Sequence, residues 1–417
     1  MNELLLRTAR ISRERPQFDL ASLTGVLTAG FIGLASIKPG ARIAVAAGSR
    51  GIANIAEITI AVVDLLKRVG AKPFIFPAMG SHGGATGPGQ AAVLAAYGIT
   101  EASAGCPILS SMEVIELDSS GLEHPLFLDA HAAGADGIVL INRIKPHTDF
   151  HGRHESGLAK MSVIGLGKRR QAETMHGYGV HGLRDLTPVA AAKVLRSGRI
   201  LCGIGIVENA FDETAQVEVI PAHRILEREP ELLEVARANM PRLPVEQLDV
   251  LIVDEMGKDI SGCGMDTNVI GRLRIPGEPE FGPPHIRGLV VCDLTEASHG
   301  NALGTGLADV ITRRLAARID EEETYTNVVT SGFLERGNTP LVAPTDAEAY
   351  RLALRTCGRL EPGSERVMRI RNTLHTSVIQ ASAAVVSELD GRADVEWISG
   401  YQPAFDGEGN LSAWPEG

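Results

Sequence analysis

Residues 137–181 read GIVLINRIKPHTDFHGRHESGLAKMSVIGLGKRRQAETMHGYGVH. The run Gly137–Ile144 has the continuous apolar character of a buried parallel strand. The stretch after it contains five of the chain's 12 histidines, namely His147, His151, His154, His176 and His181. In open α/β sheets, ligands bind at the carboxyl ends of the strands. A loop rich in histidine and glycine at that place predicts an acid–base or metal site.

Two upstream segments repeat the design of an apolar strand, a glycine turn and a helix. Arg42–Ala47 and Pro73–Pro77 are predicted to be short buried strands. The helices expected after them are Ile55–Val69 and Gly89–Tyr97. Repeated βα units predict a parallel sheet with crossover helices, so the turns after its strands meet at one edge.

Each of these turns carries a side chain that suits binding or catalysis. Arg50, in the turn GSRG at 48–51, can clamp a carboxylate or phosphate, with Ser49 as a further donor. The alternative is a solvated arginine. His82, in GSHGG at 80–84, suits acid–base chemistry because histidine titrates near neutral pH. The alternative is a histidine that caps the following helix.

The length of 417 residues predicts two domains. We expect an α/β protein in which each domain has a mainly parallel β-sheet flanked by helices, with the active site in the cleft between the domains. The domains are placed at 1–240 and 248–417, around the proline-containing segment NMPRLPVEQ at 239–247. The second half predicts strands at Val250–Val253, Gly288–Cys292 and Val367–Ile370, and helices at Gly304–Ala317 and Val378–Leu389.

Composition excludes several classes of protein. The net charge of −11 argues against a general nucleic-acid surface, which needs a basic footprint. The five cysteines are scattered without a CxxC motif, which is neither a disulfide framework nor a zinc-finger pattern. The apolar runs are shorter than the roughly 20 residues that span a bilayer, and the N-terminal run is too short for a signal peptide. We therefore expect a cytoplasmic protein without a membrane or nucleic-acid partner.

Two common nucleotide motifs are absent. The segment Gly165-Leu166-Gly167-Lys168 is not a Walker A loop, because Ser162 stands where the first glycine belongs and Arg169 where Ser or Thr belongs. GxGxxG does not follow any predicted strand, so the sequence gives little support to a dehydrogenase of the Rossmann type.

Several short motifs, in the same order along the chain, resemble the nickel-dependent lactate racemase family and its wider group of 2-hydroxyacid racemases and epimerases. The matching residues are Ser49-Arg50, Gly80-Ser81-His82, Pro146-His147, Ser156-Gly157-x-x-Lys160, Gly165, His176 and, in the second half, Met265-Asp266-x-Asn268. The separation of sixteen residues between Lys160 and His176 agrees with the family's spacing. The resemblance covers both predicted domains, although identity is confined to these motifs.

The resemblance implies roles for the residues of the first domain. Lys160 would carry, as a thioamide, pyridinium-3,5-bisthiocarboxylic acid mononucleotide with bound nickel (the nickel-pincer nucleotide), and His176 would be the fourth ligand of the nickel. His82 and His147 would be acid–base groups on opposite faces of the substrate carbon. Arg50 would bind the substrate carboxylate or steady the catalytic centre.

The resemblance also implies the wider lining of the site. The further residues expected around the cofactor are Ser49, Gly165 and Lys168, and those expected around the substrate are Asp266, Asn268, Arg272 and Arg274. The partners would be a small 2-hydroxyacid and the cofactor-synthesis proteins that load the chain. Two imidazoles suit a reaction that removes hydride from C2 and returns it to the other face, because a proton must be handled on each side.

Departures from the family pattern indicate a different substrate. Three extra residues lie between His147 and Ser156, which makes His151 a rival for the acid–base role. Ile270 and Gly271 stand where lactate racemases have Tyr-Gln. Together with the nearby arginines, this favours a hydroxyacid that is larger than lactate or has an extra carboxylate or hydroxyl.

Two other functions remain open from the sequence. The first is a zinc-dependent hydrolase that uses His147, His151 and Asp149 around a metal with an open position. The second is a non-catalytic protein that binds or carries the nucleotide cofactor.

Overall fold

A computed structural model describes residues 3–32, 37–49 and 51–414. The chain forms two compact units: Arg15–Met240, and Pro241–Gly417 together with Met1–Glu14. The first strand, β1 (Leu5–Ile11), therefore belongs to the second unit, where it pairs with two strands from the C-terminal part of the chain. The predicted domain 1–240 does not anticipate this pairing, because the local pattern of a strand does not indicate which sheet it joins.

The unit Arg15–Met240 contains a five-stranded sheet and a two-stranded hairpin. Its strands are β2 (Arg42–Ala47), β3 (Lys72–Pro77), β4 (Val114–Leu117), β5 (Leu126–Asp129), β6 (Gly137–Arg143), β7 (Ile200–Glu208) and β8 (Thr214–Pro221). Its helices are α1 (Leu23–Ile32), α2 (Ile55–Arg68), α3 (Gly87–Ala96), α4 (Glu101–Ala104), α5 (Ala130–Ala133), α6 (Leu158–Lys160), α7 (Lys168–His176), α8 (Gly179–His181), α9 (Thr187–Arg196) and α10 (Ile225–Asn239).

The larger sheet of this unit has the order β3-β2-β6-β7-β8, in which the first four strands are parallel and β8 is antiparallel. The strand β2 has the predicted bounds, and β3 and β6 differ from the predicted strands by one residue at one end. Their central side chains Val45, Ile75 and Val139 are fully buried in one apolar core. Continuous apolar runs therefore form buried strands, as expected of a parallel sheet that is covered on both faces.

The second unit is built on an eight-stranded sheet with the order β12-β11-β10-β9-β13-β14-β1-β15. Its remaining strands are β9 (Gln247–Met256), β10 (His285–Leu294), β11 (Val310–Thr312), β12 (Leu341–Ala343), β13 (Val367–Ile370), β14 (Val378–Ala381) and β15 (Val395–Pro403). Its helices are α11 (Thr267–Ile270), α12 (Arg313–Ala316), α13 (Glu321–Ser331), α14 (Asp346–Thr356) and α15 (Ala383–Leu389). The strands from β12 to β13 are parallel and the other three are antiparallel. The predicted α/β class with mainly parallel sheets is confirmed.

Two of the helices predicted in this unit are wrong. The segment Gly304–Ala317 contains β11 and only then the short α12, and Val378–Leu389 begins with β14 before α15 starts. Val310 and Ile311 are buried and pair with β10, so the gain from sheet pairing outweighs the helical spacing of the apolar residues.

Two further predictions concern covalent links and membrane spans. All five cysteines are free and buried, in agreement with a chain that needs no disulfides. Within the described ranges, no helix is both long enough and apolar enough to cross a membrane.

Candidate functional site

The candidate site of the unit Arg15–Met240 lies at the carboxyl edge of its sheet, where the chain changes direction. From β2 the chain continues to β3 on one side and then to β6 on the other side of β2. Such a switch point is where ligands bind in open α/β sheets. Ser49 lies in the turn after β2, His82 follows β3 and His147 follows β6. Arg50, the predicted carboxylate clamp, lies outside the described residues.

The first contact in this site joins the turns after β2 and β3. Ser49 Oγ lies 2.5 Å from His82 Nδ1, and both side chains are half-buried. The alternative that His82 caps the next helix is wrong, because Thr86 Oγ1 accepts the capping hydrogen bond from the Gly89 amide at the start of α3. The imidazole of His82 is therefore oriented toward the neighbouring turn.

The second contact joins the loop after β6 to the helix α6. Lys160 Nζ lies 2.5 Å from His147 Nε2. The imidazole is buried and stacks on the ring of Phe150, with 4.5 Å between the ring centroids. The backbone amide of Asp149 donates to His147 Nδ1 over 3.0 Å. The predicted cofactor anchor and one of the predicted acid–base groups are thus in direct contact.

A buried carboxylate holds the loop that carries His147. Glu155 accepts hydrogen bonds from the backbone amides of His147, at 2.6 Å, and Gly152, at 2.9 Å. Arg237 of α10 donates to the same carboxylate, which compensates its charge. The strand-like contact between Lys145 and Ser156 closes the loop at its base. Contacts within the loop and a contact from α10 therefore hold the loop in one conformation.

A second carboxylate from α10 positions the start of α6. Glu229 is 1% exposed and accepts hydrogen bonds from the amides of Leu158, at 2.5 Å, and Ala159, at 2.9 Å. A Cβ on Gly157 would lie 2.5 Å from this carboxylate, so the glycine makes room for it. Negative charge at a helix N-terminus is favourable because it satisfies amides that lack intrahelical partners. Glu229 and Glu155 are site residues that the sequence analysis missed.

The same loop carries two further histidines, His151 and His154. His154 Nδ1 lies 3.4 Å from Glu229 Oε1, and its ring is buried. His151 is exposed. His147 is the histidine for which the structure shows a contact with the predicted anchor, and the choice between His147 and His151 as the acid–base group remains a prediction.

A π-helical turn at Met161–Gly165 follows α6 directly and packs on the turn that carries His82. A Cβ on Gly165 would lie 2.7 Å from the carbonyl oxygen of Ala78, and a Cβ on Gly80 would lie 3.3 Å from the Ile164 side chain. Turns of this type occur frequently at functional sites. The predicted role of Gly165 beside the cofactor remains a prediction, and its observed role is this close backbone packing.

Lys168 has a structural position that the sequence analysis did not expect. Its side chain is fully buried, and Nζ donates to the carbonyl oxygen of Pro77 and to Gln90 Oε1, and lies 3.2 Å from Asp129 Oδ2. The amide of Gln90 in turn donates to the carbonyl oxygens of Gly80, at 2.9 Å, and His82, at 3.1 Å. Lys168 therefore supports the His82 turn through Gln90, and its predicted place beside the cofactor remains a prediction.

His176, the predicted nickel ligand, is the last residue of α7 and is half-buried. Its helix begins at Lys168 and packs on the turn of His82, since a Cβ on Gly80 would lie 3.6 Å from the Ala172 Cβ. The connection from Lys160 to His176 thus runs through one π-helical turn and one helix of the same unit.

In the second unit, the predicted substrate residues divide into two groups. Asp266 caps α11 and its Oδ1 accepts hydrogen bonds from the backbone amide of Asn268, at 3.0 Å, and from its side-chain amide, at 2.9 Å. The backbone amide of Asp266 donates to Thr373 Oγ1. These contacts fix the turn that carries the Met265-Asp266-x-Asn268 motif.

Arg272 is buried and has a structural role. Its guanidinium donates to the carbonyl oxygens of Leu307 and Ile286, and lies 2.7 Å from Asp309 Oδ2. Arg274 pairs with Oδ1 of the same aspartate at 3.0 Å, and its side chain remains 40% exposed. The observed contacts of Arg272 are all within the protein, and its predicted contact with substrate remains a prediction. The prediction for Arg274 remains.

The zinc alternative requires several protein ligands around one point. Among the residues that the structure describes, no three side chains of His, Cys, Asp or Glu are arranged to hold a metal ion. The histidine loop therefore does not form the three-ligand site that this alternative needs.

Comparison with solved structures finds a similar protein, the lactate racemase apoprotein from Thermoanaerobacterium thermosaccharolyticum, at a TM-score of 0.52. The chain shares the lactate racemase fold. The match covers 85% of this chain and 96% of that chain, at 10% sequence identity. No family model matches the chain, and no match is found among curated proteins. The relationship to lactate racemase is therefore distant and is seen in the fold alone.

Proposed function

We propose that this protein is an isomerase of the lactate racemase type that inverts C2 of a 2-hydroxyacid. The observation that carries the proposal is the contact between Lys160 Nζ and His147 Nε2 at the switch point of a sheet with this fold. An amine beside a buried imidazole suits a site that both anchors a group and moves protons.

The residues present fit a nickel-pincer nucleotide held by Lys160. The amine is half-buried at the end of α6, the helix that follows the loop after β6. A metal carried by a tethered cofactor needs few protein ligands, which agrees with the lack of a three-ligand cluster among the described residues. His176 would be the protein ligand, and Ser49 would lie next to the cofactor. When bound, the cofactor would supply the acceptor and donor of hydride.

The chain's own histidines would move the hydroxyl proton. His82 Nδ1 is engaged by Ser49, so Nε2 would be the atom that exchanges a proton with the substrate. His147 is oriented in the same way, since its Nδ1 accepts the amide of Asp149. A reversible inversion needs one such group for each face, and Arg50 would bind the substrate carboxylate.

The substrate class is a 2-hydroxyacid other than lactate. Arg274 retains an exposed guanidinium beside the Asp266-x-Asn268 turn in sequence, and it would bind a second carboxylate or hydroxyl of the substrate. We propose that residues of the first unit provide the chemistry and that Arg274 of the second unit provides selectivity.

The test is inversion of a single enantiomer. The chain is produced together with cofactor-synthesis proteins, and a panel of hydroxyacids and sugar acids is followed by optical rotation. We expect one or more acids to lose optical activity with the wild-type chain and none with Lys160→Ala. A Lys160→Ala variant that still racemises would overturn the proposal. Lys193→Ala, which removes an amine paired with Asp118 at the surface, is the matched control.

A further inference from the structure

The side chain of Asn142 lies at the switch point of the sheet in the unit Arg15–Met240. Asn142 is near the carboxyl end of β6, which pairs with β2, and the chain leaves these two strands toward opposite sides of the sheet. A Cβ on Gly48, the first residue after β2, would lie 2.4 Å from Asn142 Oδ1. The carboxamide of Asn142 therefore packs directly on the turn that follows β2.

The other side of this carboxamide is bonded to the start of α6. Nδ2 of Asn142 donates to the carbonyl oxygen of Gly157 over 2.9 Å. A carbonyl oxygen only accepts, so this bond decides that the amide nitrogen faces Gly157 and that Oδ1 faces Gly48. The backbone amide of the next residue, Leu158, donates to Glu229. The peptide group between Gly157 and Leu158 is thus held from β6 on one side and from α10 on the other.

These two contacts connect the two side-chain pairs of the candidate site. The turn after β2 carries Ser49, whose hydroxyl contacts His82. The helix α6 ends at Lys160, which contacts His147. We propose that Asn142 is a positioning residue that sets the spacing between these two pairs, so that both act on one bound molecule. Its effect on racemisation rests on the proposed function, whereas its contacts are tested in the unloaded full-length chain.

A pair of substitutions tests the contact between Asn142 and Gly48. Gly48→Ala places a methyl group against Asn142 Oδ1 and should lower the urea midpoint. In the Asn142→Ala background the same change should lower the midpoint by less than about half as much, because substitutions of residues in contact are not additive. The carbonyl oxygen of Ile141, 3.3 Å from the new methyl group, is present in both backgrounds. Equal shifts in the two backgrounds would overturn the proposal.

Nitrogen-15 NMR of the histidine rings separates positioning from general support of the fold. In Asn142→Ala the ring signals of both His82 and His147 should shift, because the carboxamide contacts the turn after β2 as well as the start of α6. Asn338→Ala makes the same change at an exposed asparagine of the other unit and should leave both signals in place. A shift at one ring only, or at neither, would overturn the proposal.

Circular dichroism checks that the variants are folded. If Asn142→Ala does not fold, Gly48→Ala takes its place in the NMR measurement, since it displaces the carboxamide without removing it. Both ring signals should then shift in Gly48→Ala, and unchanged signals would again contradict the role of Asn142.

The loaded chain provides a kinetic measurement of the same role. Asn142→Ala should lower kcat by about 10- to 100-fold and change KM by less than about 3-fold, because misplaced groups impair the aligned reacting state more than binding. A wild-type kcat in Asn142→Ala would contradict the proposal. A wild-type chain that inverts no acid would contradict the proposed function alone, since the urea midpoints and the ring signals are measured without it.

Discussion

Ser49 Oγ and His82 Nδ1 lie 2.5 Å apart and connect the ends of two neighbouring parallel strands. The contact orients one of the two proposed acid–base groups without touching the other. The ring of His82 is otherwise carried on a thin glycine turn, which Gln90 holds by its backbone carbonyls. The Ser49 hydroxyl therefore contributes to the orientation of this imidazole.

We expect Ser49→Ala to lower the rate of racemisation by about 3- to 10-fold, since one hydrogen bond contributes about 0.5–1.5 kcal/mol net. Ser49→Thr keeps the hydroxyl and should retain most of the rate. Nitrogen-15 NMR of the His82 ring provides a second measurement, in which Ser49→Ala should change the Nδ1 signal. An unchanged rate and an unchanged ring signal in Ser49→Ala would show that this contact has no role.

The cap on α6 provides a prediction about stability. Glu229→Ala should lower the free energy of unfolding by about 3 kcal/mol, because hydrogen bonds to a charged group contribute about 1.5–3 kcal/mol and a buried amide is left unsatisfied. The measurement is the urea midpoint. Glu227→Ala on the same helix is the control, since Glu227 is exposed and pairs with Arg224, the residue before α10. Equal midpoints for the two variants would contradict a capping role for Glu229.

Lys168 provides a prediction about pH. Burial lowers the pKa of its ammonium in the folded chain, and Asp129 opposes this by raising it. The folded chain therefore binds fewer protons than the unfolded chain between the lowered pKa and the ordinary value of about 10.4. Stability contributed by this group should rise with pH through that window.

The variant Lys168→Met should lose this rise, which is measured as the change in urea midpoint from about pH 7 to about pH 10. It should also be less stable than wild type at neutral pH by about 3–5 kcal/mol, because Asp129 is left buried without its cation. Lys72→Met, at an exposed position in β3, is the control and should follow the wild-type pH dependence. A Lys168→Met profile parallel to wild type would contradict the assigned cause.

The two arginines near the predicted substrate turn should behave differently. Arg272→Met removes donors from two buried carbonyl oxygens and from Asp309, and should cost about 3–5 kcal/mol of unfolding free energy. Arg274→Met removes a half-exposed pair and should cost within about 1 kcal/mol. The comparison uses urea midpoints of the two variants. If the two variants lose similar amounts of unfolding free energy, or if Arg274→Met loses more, the structural role assigned to Arg272 is contradicted.

Much of the first sheet could be predicted because its signal is local. The strand Arg42–Ala47 is an apolar run bounded by glycine turns, and no other element competes for that pattern. The same reasoning fails at Val310–Thr312, where a short strand is stabilised by pairing with β10 and β12 from distant parts of the chain. The spacing of apolar residues within one segment does not show which distant strands will pair with it. The sequence therefore predicted a helix where the structure forms a strand.

The candidate site shows the same division. Lys160 and His147 belong to two motifs that lie close together in sequence, and the structure places their side chains in contact. Glu229 was not predicted because α10 has the composition of a charged surface helix, and only the fold reveals that one of its carboxylates is buried under α6. The residue type and sequence position of Arg272 suggested that it binds a ligand. Its observed partners are backbone carbonyl oxygens of other strands and turns.

The central claim is that Lys160 is the covalent anchor of the cofactor, and peptide mapping tests it most directly. The chain is produced together with cofactor-synthesis proteins, and its intact mass, its nickel content and the mass of the peptide that contains Lys160 are measured. The account predicts a single adduct on Lys160 with about one nickel per chain, and no adduct in Lys160→Arg. An adduct on another residue, or a racemising chain whose Lys160 is unmodified, would contradict it.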